Sequence, residues 1–245
     1  MELTGKVAVV TGGSRGIGRA VTTRLAEAGA EVVLTFRADA TAAVGVVDEI
    51  RAKGGRVLAV QADSAETGAM DHVVERAVGR SGRLDVLVNN AAELVVAPLE
   101  ELDAAAFDRI VATNVRAPFL AARAAARHMG EGGRIITIGS NMIGRTVFPG
   151  FALYSLSKTA LVGMTKGLSR DLGPRGITAN LVNPGPIDTD LNPSDGPQSA
   201  TIAGFTTLGR YGRPEEIADM VVHLAGPGAA YVTGAAIDVD GGFTV

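Results

Sequence analysis

The sequence predicts an α/β fold: a single-domain, doubly wound Rossmann fold over residues 1–245, with a seven-stranded parallel sheet and helices on both faces. Three observations predict it. Short Val/Ile/Leu-rich runs alternate with longer amphipathic stretches, the order of a parallel sheet with right-handed crossovers. Most of the short runs are apolar without alternation, as strands covered on both faces must be. Glycine is abundant, 32 of 245 residues or about 13%, nearly twice the roughly 7% of average usage. That excess fits many tight strand–helix turns.

The first run, 6–11 (KVAVVT), leads through glycines into a helical spacing at 17–28. The second and third, 31–36 (EVVLTF) and 56–62 (RVLAVQA), flank a helix expected at 40–53. A helix over 66–80 then precedes the fourth run, 84–89 (LDVLVN). The segment 103–129 is long and rich in Ala, the best helix former, and reads as one helix. The fifth run, 133–139 (GRIITIG), is followed by a helix at 155–172 and the sixth run, 177–183 (ITANLVN). A helix at 214–225 and a seventh run at 235–239 (AAIDV) complete the order. The irregular stretch 184–213 has Pro and Gly at both ends. In a compact domain such a segment is more often a functional lid than slack, and the lid is expected at about 186–213.

Composition excludes several classes. Hydrophobic residues make up 47%, charged residues 20%, and the net charge is −3, so a large core can be buried and disorder is ruled out. With no cysteine there is no disulfide, thiolate metal site or cysteine nucleophile. His72, His128 and His223 lie far apart and form no metal-binding repeat, so no metal is expected. The 23 basic residues are scattered among 26 acidic ones, which argues against a nucleic-acid surface. No signal peptide or membrane span is read. A soluble, cytoplasmic protein is expected.

Chemistry enters at Thr11-Gly12-Gly13-Ser14-Arg15-Gly16-Ile17-Gly18, between the first strand and the first helix. Glycines let a phosphate approach the main chain. The helix N-terminus offers free N–H groups and a positive dipole end. The same residues also satisfy GxSxG, the elbow of a serine hydrolase. That reading fails on order, because such an elbow follows several strands and Ser14 follows the first. After the second strand, where an enzyme using NAD places Asp or Glu, stand Phe36 and Arg37. No carboxylate there repels a 2′-phosphate, and Arg15 and Arg37 are suited to clamp one. The turn is therefore expected to take NADP(H), although Arg37 by itself also reads as a solvated loop residue.

Tyr154-Ser155-Leu156-Ser157-Lys158 begins a helix, and a spacing of four puts Tyr154 and Lys158 on one face. A tyrosine with a pKa near 10 is a poor proton-transfer group at neutral pH. An adjacent ammonium lowers that value towards the useful range. Ser140 ends the fifth strand, where a hydroxyl can hold a carbonyl oxygen, although most strand-end serines merely cap. Asn114, judged alone, reads as a buried helix residue capping a neighbour, and Asp63 as a helix-start residue.

Together TGGSRGIG, Asn89-Asn90-Ala91-Ala92, Asn114, Ser140, YSLSK and Pro184-Gly185 resemble the short-chain dehydrogenase/reductase family over essentially the whole chain. Within it the chain looks most like 3-oxoacyl-(acyl-carrier-protein) reductases, including the closing VDGGF. GPRGIT and NPGPIDTD also resemble a bacterial subgroup with members described as cyclic-dinucleotide-binding dispersal factors. The resemblance implies catalytic roles for Asn114, Ser140, Tyr154 and Lys158. Tyr154 would donate the proton and Ser140 orient the substrate oxygen. Lys158 would lower the tyrosine pKa and bond the nicotinamide ribose, and Asn114 would hold a water. It further implies that Asn90 and Ala91 sit beside the adenosine ribose, and that Asp63 and Ser64 flank the adenine. Pro184, Gly185, Ile187 and Thr189 would border the nicotinamide. The chain departs from the family pattern at Ala92, commonly Gly, and in a Ser140–Tyr154 interval about one residue longer than is commonest.

The expected activity is NADPH-dependent reduction of a ketone, a 3-oxoacyl thioester or similar, or the reverse alcohol oxidation. The alternative is a regulator that binds NADPH or a cyclic dinucleotide with little turnover. Met142, Phe148, Phe151, Leu191 and Phe205 are candidates for an apolar substrate pocket or for core. Arg127, Arg170 and Arg175 read as ordinary surface charges rather than a carrier-protein site. Ala160, Gly163 and Gly167 on the helix at 155–172 would admit another helix closely. With the resemblance, they imply a homotetramer.

Overall fold

Runs too apolar to alternate become strands buried on both faces. In the computed structural model, which describes residues 2–245, they are β1 (Val7–Val10), β2 (Glu31–Phe36), β3 (Arg56–Gln61) and β4 (Val86–Asn89). β5 (Arg134–Ile138), β6 (Thr178–Pro184) and β7 (Ala236–Val239) follow. Every residue of β1, β4, β5 and β6 is buried, whereas the edge strand β7 is half covered. The seven strands form one sheet in the order β3-β2-β1-β4-β5-β6-β7, all pairs parallel. The chain winds outward through β1, β2 and β3, then returns to place β4 beside β1. This reversal opens a crevice at the carboxyl ends of β1 and β4, where open α/β sheets bind ligands. The single domain is as expected; Met1, its expected first residue, lies outside the described residues.

Two cores flank the sheet. One joins β1 and β2 to α1 (Gly16–Glu27), α2 (Ala40–Ala52) and α8 (Pro214–Ala225), through Val21, Leu25, Val46, Ile50 and Val221. The other joins the opposite face to α3 (Ala69–Ser81) and α5 (Ala117–Ala126), through Val73, Ala77, Ala121 and Ala125. α6 (Ala152–Leu172) lies against β6 and seals this side with Leu172.

Three expectations are corrected. The alanine-rich segment is not one helix: α4 (Ala104–Val111) and α5 are joined by a π-helical turn, Ala112–Arg116. Such a turn carries one residue more than α-geometry allows, and these insertions recur at functional sites. Here it carries Asn114. Next, α3 starts at Ala69 rather than 66, because Gly68 at φ 81° lies in the left-handed region and cannot continue a helix backwards. The stretch 186–213, expected as a lid, is also not wholly irregular, for it contains α7 (Ser199–Gly204). Its two ends are tied together where Asp188 N–H donates to the Gly212 carbonyl and Gly212 N–H to the Pro186 carbonyl, each at 2.9 Å.

Candidate active site

The glycine turn is built from hydrogen bonds that leave its outer face open. Gly12 N–H donates to Thr35 Oγ1 at 3.0 Å, and Gly13 N–H to the Thr35 carbonyl at 2.9 Å, fastening the turn to β2. Thr22 Oγ1 on α1 donates to the Gly13 carbonyl at 3.2 Å. Just beyond β4, Asn90 Nδ2 donates to the carbonyls of Thr11 and Gly12, at 2.9 and 3.1 Å. Thr11 Oγ1 in turn accepts the N–H groups of Asn90 and Ala91, at 2.9 and 3.0 Å. β1 and β4 are thus clasped across the switch point.

A Cβ at Gly18 would overlap the Gly12 carbonyl, so only glycine fits where α1 passes under the turn. α1 starts at Gly16, and the side chain at its N-cap, Arg15, makes no capping bond. Its N-cap side chain therefore leaves the leading N–H groups and positive dipole end uncapped, the arrangement that can receive a phosphate. Thr189, in the segment after β6, reaches this turn, with its Cγ2 3.4 Å from where a Cβ on Gly16 would stand. Ser14 is buried, while Arg15 and Arg37 are exposed and form no ion pair among the described residues. The nearest acid in sequence, Asp39, is engaged: its Oδ1 accepts Ala42 N–H at 2.9 Å and caps α2.

Asp63 and Ser64 follow β3, and Asp63 Oδ1 accepts Ala65 N–H at 2.9 Å, a turn bond consistent with its simpler reading. Ser64, Ala91, Asn114 and Lys158 line one small pocket of about 10 Å³. At the far end Pro184 closes β6 and Ile187 is buried in the core. Gly185 lies so close to the C-terminal chain that a Cβ there would stand 2.6 Å from Asp240 Cα. Backbone crossing alone thus requires glycine at 185.

Tyr154 lies in the first turn of α6, one helical turn before Lys158. Burial pushes its hydroxyl up to about 12, and a hydrogen bond from Ser140 works in the opposite direction. Burial pulls Lys158 down to about 8. Its Nζ donates to the Ile138 carbonyl at 2.9 Å and lies 5.7 Å from the centre of the Tyr154 ring. The expectation that Lys158 lowers the tyrosine pKa is therefore not met in this arrangement, in which desolvation outweighs the one favourable hydrogen bond.

Ser140 stands two residues beyond the end of β5, not on the strand. Its Oγ accepts Met142 N–H at 3.2 Å and caps a short 3₁₀ turn, Asn141–Ile143. It is at once a capping residue and the neighbour of Tyr154. Asn114 is buried in the π turn and is fully engaged. Its Oδ1 accepts Glu93 N–H at 2.8 Å, and its Nδ2 donates to the Glu93 carbonyl and to Ser157 Oγ at 2.9 and 3.0 Å. It ties the loop after β4 to α6.

Thr35 and Glu93, absent from the sequence reading, and Thr11, named there only as the start of the glycine turn, thus prove to be the groups that fix Gly12, Asn114 and Asn90. Only Thr11 carried a signal, as a polar residue closing a buried strand. Of the pocket candidates, Phe148 packs edge-on against Phe205 and Phe151 against Tyr154, with ring centres 5.6 and 6.4 Å apart. Leu191 is exposed.

Comparison with known proteins finds relatives over the whole chain. A family model described as enoyl-(acyl carrier protein) reductase matches residues 12–244. A solved short-chain dehydrogenase/reductase from Serratia marcescens is 51% identical, with a TM-score of 0.98 and both chains covered completely. A short-chain dehydrogenase from Burkholderia cenocepacia, solved in complex with NADP, is 44% identical, again with a TM-score of 0.98 and complete coverage of both. The cyclic-di-GMP-binding biofilm dispersal mediator protein of Escherichia coli is 46% identical over 240 residues, 98% of each chain.

Proposed function

The chain belongs to the short-chain dehydrogenase/reductase family, and from that premise we propose that it is an NADPH-dependent carbonyl reductase with Tyr154 as its acid. The observation that carries the reading is the half-buried Tyr154, its hydroxyl facing Ser140, with Lys158 one turn on. The open glycine turn and the absence of a free acid after β2 fit an NADP(H) dinucleotide. So does the complex of the Burkholderia relative with NADP. Gly12, Ser14, Arg15, Gly16, Ile17 and Gly18 would hold the pyrophosphate, and Arg15 with Arg37 the 2′-phosphate. Asp63, Ser64, Asn90 and Ala91 would hold the adenosine, and Lys158, Pro184, Gly185, Ile187 and Thr189 the nicotinamide half.

When bound, the reduced nicotinamide supplies a hydride. Ser140 and Tyr154 hold the carbonyl oxygen by hydrogen bonds and polarise it. With a pKa near 12, Tyr154 keeps its proton at neutral pH. It releases that proton only to a stronger base, and an alkoxide-like oxygen is one. The phenolate left behind faces Ser140, and Lys158, near 8 and 5.7 Å from the centre of the ring, is the neighbouring group that can return a proton. Asn114 positions this group of residues by joining Glu93 to Ser157. Ala160, Gly163 and Gly167 stand exposed on α6, with open space beside both glycines, and support assembly as a homotetramer.

A second reading, a cyclic-dinucleotide-binding regulator, is favoured by the Escherichia coli relative. One experiment separates the two. NADPH oxidation is followed over acyl thioesters, β-keto esters, quinones and simple ketones, beside titration with cyclic di-GMP. Turnover of a ketone supports the reductase; saturable dinucleotide binding without turnover of any supports the regulator.

A further inference from the structure

Three segments far apart in sequence meet on one guanidinium. The Arg145 Cζ lies 5.7 Å from the centre of the Phe205 ring and 6.0 Å from that of Phe243, and its Nη1 donates to the Phe243 carbonyl at 3.2 Å. The two rings are 5.8 Å apart, and Phe148 adds a third, edge-on to Phe205 at 5.6 Å. Among the described residues no carboxylate pairs with Arg145, so rings and carbonyl alone hold it.

Each segment bears on the candidate active site. Arg145 is five residues beyond Ser140, and the next residue, Thr146, shares a 3.0 Å hydroxyl contact with Ser155, the neighbour of Tyr154. Phe205 ends α7 of the lid. Phe243 belongs to a C-terminal segment shaped by Asp240, which accepts Gly242 N–H, Thr244 N–H and Thr244 Oγ1 at 2.8–3.0 Å. That segment also grips the lid, through Leu208 N–H to the Gly241 carbonyl and Thr207 Oγ1 to the Gly242 carbonyl, both at 3.1 Å.

We infer that Arg145 is a positioning residue: its cation, stacked on Phe205 and Phe243, holds the lid and C-terminal segment in register with Ser140 and Tyr154 and so sets carbonyl-substrate affinity. A planar guanidinium can lie against two rings and still donate in its own plane, which a lysine ammonium on a flexible stem cannot match. The kinetic consequence rests on the carbonyl-reductase reading; the structural one does not.

The test compares Arg145→Met, Arg145→Lys, Phe243→Leu and the Met/Leu double variant. Hydrogen exchange over residues 199–208 is measured by mass spectrometry, with KM and kcat for a ketone that the wild type reduces. Arg145→Met should speed exchange there and raise the ketone KM, each about tenfold, the effect of losing one partly exposed cation–π contact with its hydrogen bond. kcat should stay within about twofold and NADPH affinity should not change. Lysine should restore only part of the loss, and the double variant should be no worse than the worse single one. Unchanged exchange at 199–208 in Arg145→Met, or simple additivity in the double variant, overturns the inference. If no ketone is reduced, the reductase reading fails and exchange and additivity decide this one alone.

Discussion

Lys158 Nζ sits 5.7 Å from the centre of the Tyr154 ring yet gives its hydrogen bond to the Ile138 carbonyl at 2.9 Å. The cation is therefore fixed by the end of β5 and faces the aromatic ring, while the tyrosine hydroxyl turns to Ser140. Tyrosine and cation are neighbours with separate anchors.

Removing the hydroxyl tests the donor directly. Tyr154→Phe should keep the fold, because the ring and its contact with Phe151 remain. Its kcat should fall by about 10² or more, the usual loss of an acid–base group. Near-normal ketone reduction by this variant, with unchanged circular dichroism, would sink the assignment.

Stability should depend on pH through the same pair. Burial lowers Lys158 from 10.5 to about 8, so between those values the unfolded chain binds the extra proton and stability rises with pH. The rise is at most about 3 kcal/mol. Tyr154, raised from 10.0 to about 12, keeps its proton in the fold after the unfolded chain has lost it, and so lowers stability between those values. Urea midpoints across pH 8–12 should peak near pH 10. Lys158→Met should abolish the rising limb; a rise that persists in the variant would assign it to other groups.

Asn114→Ala removes three hydrogen bonds and leaves both backbone groups of Glu93 without their partner. The cost should be about 1–3 kcal/mol, read as a lowered urea midpoint. Faster exchange of the amides following Asn90 should accompany it. Unchanged exchange there would show that the loop is held by the Glu93–Arg109 ion pair at 2.7 Å instead.

Cofactor choice should rest on two exposed arginines. Arg37→Ala and Arg15→Ala should each raise the KM for NADPH about tenfold, roughly 1.4 kcal/mol, and leave that for NADH nearly unchanged. A wild-type preference for NADH would contradict the phosphate clamp.

The seven strands were legible because burial on both faces leaves a continuous apolar run, and their limits shifted by no more than two residues. The glycine turn and the Tyr154–Lys158 spacing were legible for a similar reason, since each is local geometry written in consecutive residues. The break at Ala112–Arg116 was not, because alanine favours a helix equally on either side of it. Nor was the helix Ser199–Gly204, six residues flanked by turns and too short for a period to show.

By itself the sequence determined a parallel doubly wound sheet, a glycine turn after the first strand, and a tyrosine and lysine on one helical face. Only the tertiary structure decided how those groups are tuned. Desolvation, which raises Tyr154 and lowers Lys158, depends on how much of the fold closes over them. The clasp of Thr11 with Asn90 and the meeting of Arg145 with Phe205 and Phe243 join residues up to 98 positions apart. No local pattern encodes contacts of that range; they exist because strand order and crossover bring those ends together.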